Sequence, residues 1–435
     1  MRKILTLSLL CVLCTTAFAD TDRSHVLKVY DWEDEYSPEV VEGFPAWYKA
    51  QTGEDIELMY QLLENDLAVL NQIELGHDDW DVLGTTSYYI KDILKRGLVQ
   101  PIDHTLFEQT GTPDYLQDVS PYIQNNIRSA NSYEGLDPND YFIPISLCTL
   151  GLIYDTSLYS RDEVSSWTIM LDEKYRGKIL MLNDELAVHY ISQLCIHADE
   201  LSRGELSYAE LGNMIGEEDM KQTEEWFRRA APNLMGYDTG FGYSYLVEGK
   251  IPIAACYSVD ARFPIELSKE YGGPDFDFVV PREGTYLYSD VVCIPKYAGN
   301  PKAAAYWINY IMMPENVIKS LKNGYMTLTT ESPEVLEAIQ DKDKFPNPVD
   351  MSYLFPDTPT IATEVYVPSY RFQSTQDLEK TIVVPDIASR LMDFSKLLNR
   401  IQILPPTVRQ FWPEILICLA LVVFFIAKRI SKKKQ

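Results

Sequence analysis

The first hundred residues alternate two periodicities, and this alternation limits the fold more than any other feature of the chain. Val26 to Tyr30 is a short apolar run of strand length. Ser37-Pro38 behind it reads as the N-cap and first residue of a helix whose apolar face is Val40, Val41, Phe44, Trp47 and Tyr48. Pro45 within that face predicts a kink or an early end. The pattern then repeats: strand at Ile56 to Tyr60, helix at Asn65 to Leu75, strand at Trp80 to Leu83, helix at Tyr89 to Arg96 before Gly97. Strands joined through helical crossovers run parallel, so an α/β fold with a parallel sheet is expected.

The middle of the chain is less regular. Strand runs are expected at Phe142 to Tyr154, Lys178 to Leu182, Ile251 to Tyr257, Phe276 to Val280 and Val291 to Ile294. Helices are expected at Tyr190 to Ala198, Ala209 to Ala230, Lys302 to Met312 and Pro314 to Lys322.

Aromatic residues with a carboxylate close by stand where these strands end. Trp32 lies in Tyr30-Asp31-Trp32-Glu33-Asp34-Glu35-Tyr36, Tyr257 precedes Asp260 by three residues, and Tyr286 and Tyr288 lead into Asp290. Open α/β folds bind ligands at strand ends. A ring face beside a carboxylate suits an organic ammonium ion, through cation–π attraction and charge neutralisation. Taken singly, such aromatics are more often packing residues, and Asp184 after Asn183 also reads as a helix cap.

The formal charge of −26 excludes a nucleic-acid partner, which requires a basic face. Both ends of the chain address a membrane. Arg2 and Lys3, the apolar run Ile4 to Cys14 and Ala17-Phe18-Ala19 form a secretory leader over residues 1–19. Ile415 to Ala427 is apolar without interruption and spans ~20 Å as a helix, extended by Phe411 and Trp412 at one interface and by snorkelling Lys428 and Arg429 at the other. Lys432, Lys433 and Lys434 orient the tail to the cytoplasm. A transmembrane anchor at 411–430 is therefore expected, with a linker at 399–410 and a cytoplasmic tail to 435. Leu404-Pro405-Pro406-Thr407-Val408 also approaches a sortase signal, but has Val408 where that signal has Gly.

Between leader and anchor the cysteines are Cys148, Cys195, Cys256 and Cys293, all in apolar runs. They allow three disulfide pairings or buried free thiols. The five histidines lack metal-ligand spacing, and beyond the leader, which carries Cys11 and Cys14, the chain contains no HExxH, GxSxG or CxxC sequence. Nothing in the sequence supports an enzyme, a cofactor or a metal.

An ordered series of segments resembles the periplasmic spermidine/putrescine-binding proteins of bacterial ABC importers. The series runs through Val29-Tyr30-Asp31-Trp32, Trp80-Asp81-Val82-Leu83, Thr86-Ser87-Tyr88-Tyr89, Gly97 to Asp103, Ser166-Trp167, Lys174 to Ile179, Tyr257 to Ala261, Pro281 to Gly284, Asp290, Ile294-Pro295 and Gly324-Tyr325. It spans about residues 26 to 345.

The resemblance implies a two-lobed periplasmic-binding-protein fold of type II with a hinge and an interlobe cleft. Its lobes would comprise 26–144 with 258–327, and 145–257 with 328–398. The implied ligand contacts are Trp32, Glu33, Tyr36, Thr86, Tyr88, Asp184, Tyr257, Asp260, Tyr288, Asp290 and Tyr325. Departures from the family pattern fall at Glu33, where it has a small residue, and at Glu35, where an ungapped alignment places its Tyr with Tyr36 one position off. A second-lobe acid falls on Ala187, beside Glu185. The implied function is capture of a polyamine and delivery to importer permease subunits from the outer face of the membrane. The alternatives are a polyamine sensor coupled to a signalling partner, or a receptor for another small cation.

Overall fold

The computed structural model describes residues 23–403 except 34, 64–65, 77–78 and 239–242. The expected leader, anchor and tail lie outside the described residues. Among those described, no helix is long and apolar enough to cross a membrane.

Among the described residues eleven strands form one mixed sheet. They are β1 (Val26–Asp31), β2 (Glu57–Leu62), β3 (Val82–Thr86), β4 (Val99–Gln100), β5 (Phe142–Asp155), β6 (Ile179–Leu182), β7 (Leu234–Asp238), β8 (Ile253–Tyr257), β9 (Phe276–Val279), β10 (Thr285–Pro295) and β11 (Thr381–Val383). The main path runs β2-β1-β3-β10-β5-β8-β6-β7. As the alternation required, β1 pairs parallel with both β2 and β3, across the helices Pro38–Thr52 and Asp66–Glu74. β10 makes the sheet mixed, because it runs antiparallel to β3 on one side and β5 on the other.

The two longest strands are shared by two apolar cores. Phe142, Ile143, Ile145 and Leu147 of β5, with Val291 to Ile294 of β10, join a core built around Leu27, Phe44, Trp307 and Phe355. Leu150, Leu152 and Tyr154 of β5, with Tyr286 of β10, join a second core around Trp167, Tyr190, Phe227 and Phe394. Strand periodicity splits the second region between two faces. Ile179 and Met181 of β6 face the second core, while Leu180 joins Ile153, Ala254 and Phe278 in a smaller cluster on the other face.

This packing divides the chain differently from the expected limits in two stretches. Ala261, Ile265, Phe276 and Phe278 pack against β5, β6 and β8 rather than with the first core. Leu328 to Leu378 pack into the first core, and only from Ile382 does the chain return to the second. The cause is topological. β9 pairs with the distal half of β5, which carries 261–279 across, and the return stretch meets β10 only at β11.

Local expectations needed four corrections. The helix Pro38–Thr52 continues through Pro45, since Phe44 and Tyr48 on either side are held edge-on by Trp307 and Tyr306. The helix expected at Ala209 to Ala230 is two, Tyr208–Gly212 and Glu217–Ala230, the second opening at Gly216, whose N–H bonds Asp219. The linker starts later than residue 399, because the helix Leu391–Ile403 buries Ile401 in the second core. β4, β7 and β11 were not foreseen: each is short and borrows its regularity from a partner strand. Among the described residues Cys148, Cys195 and Cys256 are free thiols.

Candidate functional site

A cavity of about 600 Å³ opens where β1, β3, β5, β8 and β10 come together. Of the eleven expected contacts, Trp32, Glu33, Thr86, Tyr88, Asp184, Tyr257, Asp260, Tyr288 and Asp290 line it. Tyr36 and Tyr325 do not. Tyr36 is buried in the first core, edge-on to Trp307 at 5.6 Å, and its hydroxyl donates to Asp31 Oδ2 at 2.8 Å. Tyr325 lies outside the lining with its ring 5.6 Å from the Arg262 guanidinium, while its neighbours Gly324 and Met326 face the cavity.

The register of β10 brings residues distant in sequence side by side. Asp290 stands opposite Thr86 of β3 and Ser146 of β5, and the β10–β5 ladder breaks just after it. The break turns the strand as a bulge does, which re-aims a side chain at a sheet edge. The Cys148 thiol donates to Asp290 Oδ2 at 3.3 Å. Asp184 is a true helix cap: its Oδ1 accepts the Ala187 N–H at 2.6 Å at the start of the helix Glu185–Ile196. It also lines the cavity, so capping and site readings hold together. Burial raises its pKa, opposed by that hydrogen bond.

The rings form two groups. Tyr257 meets Tyr288 edge-on at 5.4 Å and its hydroxyl bonds that of Tyr286 at 2.6 Å; Tyr88 packs on Tyr288 at 6.1 Å. In the second group Tyr243 stacks on Phe263 at 5.6 Å, both rings lining the cavity. Burial raises the phenol pKa of Tyr257 and Tyr288, and burial together with the nearby Asp260 raises that of Tyr243. These rings therefore stay neutral and present faces and hydroxyls. Trp32 Nε1 is buried without a hydrogen-bond partner among the described residues.

Sequence reasoning missed Glu35, Ser146, Tyr243, Arg262 and Phe263, which also line the cavity. Arg262 and Phe263 lie two and three residues past Asp260, and that adjacency was the available signal. Tyr243 comes from a separate helix, Tyr243–Val247, and carried none. Burial and the neighbouring Asp290, Asp31 and Asp260 hold the Glu35 carboxyl well above the usual range. With Glu33, Glu35, Asp184, Asp260 and Asp290 against Arg262 alone, the lining is strongly acidic. Such a chamber of rings and carboxylates holds an organic cation by the same physics that suggested it. A larger groove of about 1000 Å³ lies beyond Gly324, but its charged lining mixes Lys269, Lys322 and Lys344 with Glu266 and Asp341 and lacks this convergence.

Comparison with known proteins agrees with this architecture. The family model for bacterial extracellular solute-binding proteins matches residues 48–347. Spermidine/putrescine-binding periplasmic protein 1 of Haemophilus influenzae is 22% identical over 339 residues, covering 76% of this chain and 84% of its own length. The putrescine-binding periplasmic protein SpuD of Pseudomonas aeruginosa is 25% identical over 362 residues, covering 78% and 89%. Among solved structures, the spermidine/putrescine ABC transporter substrate-binding protein PotD of Streptococcus pneumoniae superposes with a TM-score of 0.61 at 19% identity, over 88% of this chain and 99% of that one. That likeness concerns the fold.

Proposed function

The chain belongs to the bacterial extracellular solute-binding protein family, and from that membership we propose that it captures a polyamine of the putrescine/spermidine class for an ABC importer. It is a solute-binding protein, not an enzyme. The observation that carries the polyamine reading is the cavity lining, in which four partly or fully buried carboxylates and six aromatic rings converge on one chamber. Primary amines have a pKa near ~10, so such a ligand arrives fully charged. Asp184, Asp260 and Asp290 pair with its ammonium groups, while Trp32, Tyr88, Tyr257 and Tyr288 enclose its methylene chain. The names of the curated relatives point to the same ligand class.

The two cores act as lobes. The hinge lies in β5 between Leu147 and Leu150 and in β10 between Tyr286 and Val291, where each strand passes from one core to the other. Ligand contacts to both sides favour the closed form. The lobes comprise about 26–147 with 291–378, and about 150–286 with 382–403. The apolar run Ile415 to Ala427 tethers the protein beside the permease. Calorimetry with putrescine, spermidine, spermine and cationic amino acids tests the reading. Binding of a polyamine is expected, weakened roughly tenfold or more by Asp260→Ala as one partner of a buried charge pair is lost. Failure of every polyamine to bind overturns it.

A further inference from the structure

One lining residue is out of character in a chamber suited to cations. Among the described residues Arg262 is the only lysine, arginine or histidine of the cavity lining. Its guanidinium lies 4.3 Å from the Phe263 ring and 5.6 Å from the Tyr325 ring, and its Nη1 donates to Glu266 Oε2 at 3.3 Å. Its stem packs on Gly324, where a Cβ would stand 2.5 Å from Arg262 Cδ. Its Nε is buried without a hydrogen-bond partner among the described residues.

The position of Arg262 is a boundary. Gly324 lines both the cavity of about 600 Å³ and the groove of about 1000 Å³ beyond it, and Glu266, the partner of Arg262, belongs to the groove. Arg262 therefore stands where the two spaces meet. On the cavity side Asp260 lies two residues before it, and the Tyr243 phenol is within electrostatic reach of both. The guanidinium already takes the faces of Phe263 and Tyr325 that an ammonium group at this end would seek. An ammonium paired with Asp260 is neutralised on arrival. One that reaches past Asp260 meets the like charge of Arg262, and the partly dehydrated setting strengthens that repulsion.

Resting on the polyamine reading above, we propose that Arg262 sets the length of the ligand: it closes the cavity with a resident cation, so that a diamine of putrescine length is taken and longer polyamines are refused. Selection of this kind works by disfavouring the wrong ligand and needs no extra contact to the right one. A longer amine can enter only by displacing the guanidinium from two rings and from Glu266, or by holding a second cation beside it. Without the guanidinium, the cavity runs on past Gly324 into the groove, and a longer chain has room.

The test is calorimetry of the purified full-length protein with putrescine, spermidine and diaminooctane, which is spermidine with its central nitrogen replaced by carbon. The last two share a span, so together they report length and not the number of nitrogens. Wild type is expected to bind putrescine at least about tenfold more tightly than either longer amine, a modest return for a like-charge clash. Arg262→Gln removes the cation and is expected to narrow both ratios by about tenfold. Arg262→Lys keeps a cation but loses the planar fork over the rings, and is expected to narrow them part of the way. The ratio is the readout because a merely structural role would weaken all three amines alike and leave it unchanged. Wild type that binds either longer amine as tightly as putrescine overturns the proposal. Unchanged ratios in Arg262→Gln, or in Arg262→Lys should the first variant not fold, overturn it as well. Absence of binding by all three amines overturns the polyamine reading itself, and is thereby distinguished from failure of the length selection.

Discussion

The carboxylate of Asp31 occupies the space that a side chain on Gly84 would need. Asp31 is fully buried, and its two oxygens are committed: Oδ1 accepts the Trp32 N–H at 2.9 Å and Oδ2 the Tyr36 hydroxyl at 2.8 Å. These two bonds set the direction in which the chain leaves β1 and therefore which residues of the Trp32–Tyr36 loop face the cavity. The register that pairs Val29 with Val82 and Tyr30 with Leu83 brings Gly84 beside Asp31.

Gly84→Ala is therefore expected to destabilise the protein by about 1–3 kcal/mol, the cost of overpacking a closed interior. The displaced Asp31 also re-aims the loop, so affinity for a cationic ligand falls with it. Urea denaturation and calorimetry on the same variant measure the two effects. Stability within about 0.5 kcal/mol of wild type, the range of an ordinary surface substitution, would mean that Asp31 moves aside freely.

Gly324 and Arg262 make the second close approach at the cavity. Gly324 has φ +90°, and a Cβ there would stand 2.5 Å from Arg262 Cδ and 2.7 Å from its Cζ. Arg262 cannot easily retreat, since its guanidinium lies 4.3 Å from the Phe263 ring and its side chain is only 13% exposed. Gly324→Ala is expected to cost about 1–3 kcal/mol through backbone strain and crowding. Arg262→Ala in that background should relieve the crowding and leave the strain. A double-mutant cycle by urea denaturation is expected to give a coupling of at least about 0.5 kcal/mol, and additivity would show that the two residues do not press on each other.

His189 makes the stability pH-dependent away from the cavity. Burial lowers its pKa to about 4, while its ring nitrogens bond Thr223 Oγ1 at 3.1 Å and the Met214 carbonyl at 2.8 Å. A histidine whose folded pKa is depressed contributes stability above its unfolded pKa of ~6.5, and loses it as the pH falls towards the folded value. Between pH ~7.5 and ~4.5 this one group is expected to remove about 2–3 kcal/mol. Urea titrations at the two pH values, on wild type and on His189→Gln, check the sign and size. Equal pH dependence in the variant would assign the loss to other groups.

Much of the site was legible because strand ends follow from local pattern. Trp32 just past β1, and Tyr257 at the end of β8 with Asp260 beyond it, stand beside apolar runs visible in the sequence; Thr86 at the end of β3, Tyr88 beyond it and Asp184 after β6 were implied by the family resemblance; all line the cavity. Tyr288 and Asp290 were legible for a different reason: they precede the apolar core of β10, whose extension back to Thr285 was not apparent. The tail of the fold was illegible, since Leu328 to Leu378 form few regular elements and their place in the first core depends on partners far away in sequence.

The amino-acid sequence by itself determined the α/β alternation, the parallel pairing around β1 and the set of strand ends at which rings and acids gather. Hydrophobic periodicity is a local property, and those features need nothing more. Tertiary structure alone decided that Glu35 faces the cavity while Tyr36 turns into the core, and that Tyr243 and Arg262 join the lining. Neighbouring loop residues face opposite ways only once something holds the loop. Here that is a carboxylate seated against a glycine more than fifty residues away, a contact that no local pattern encodes.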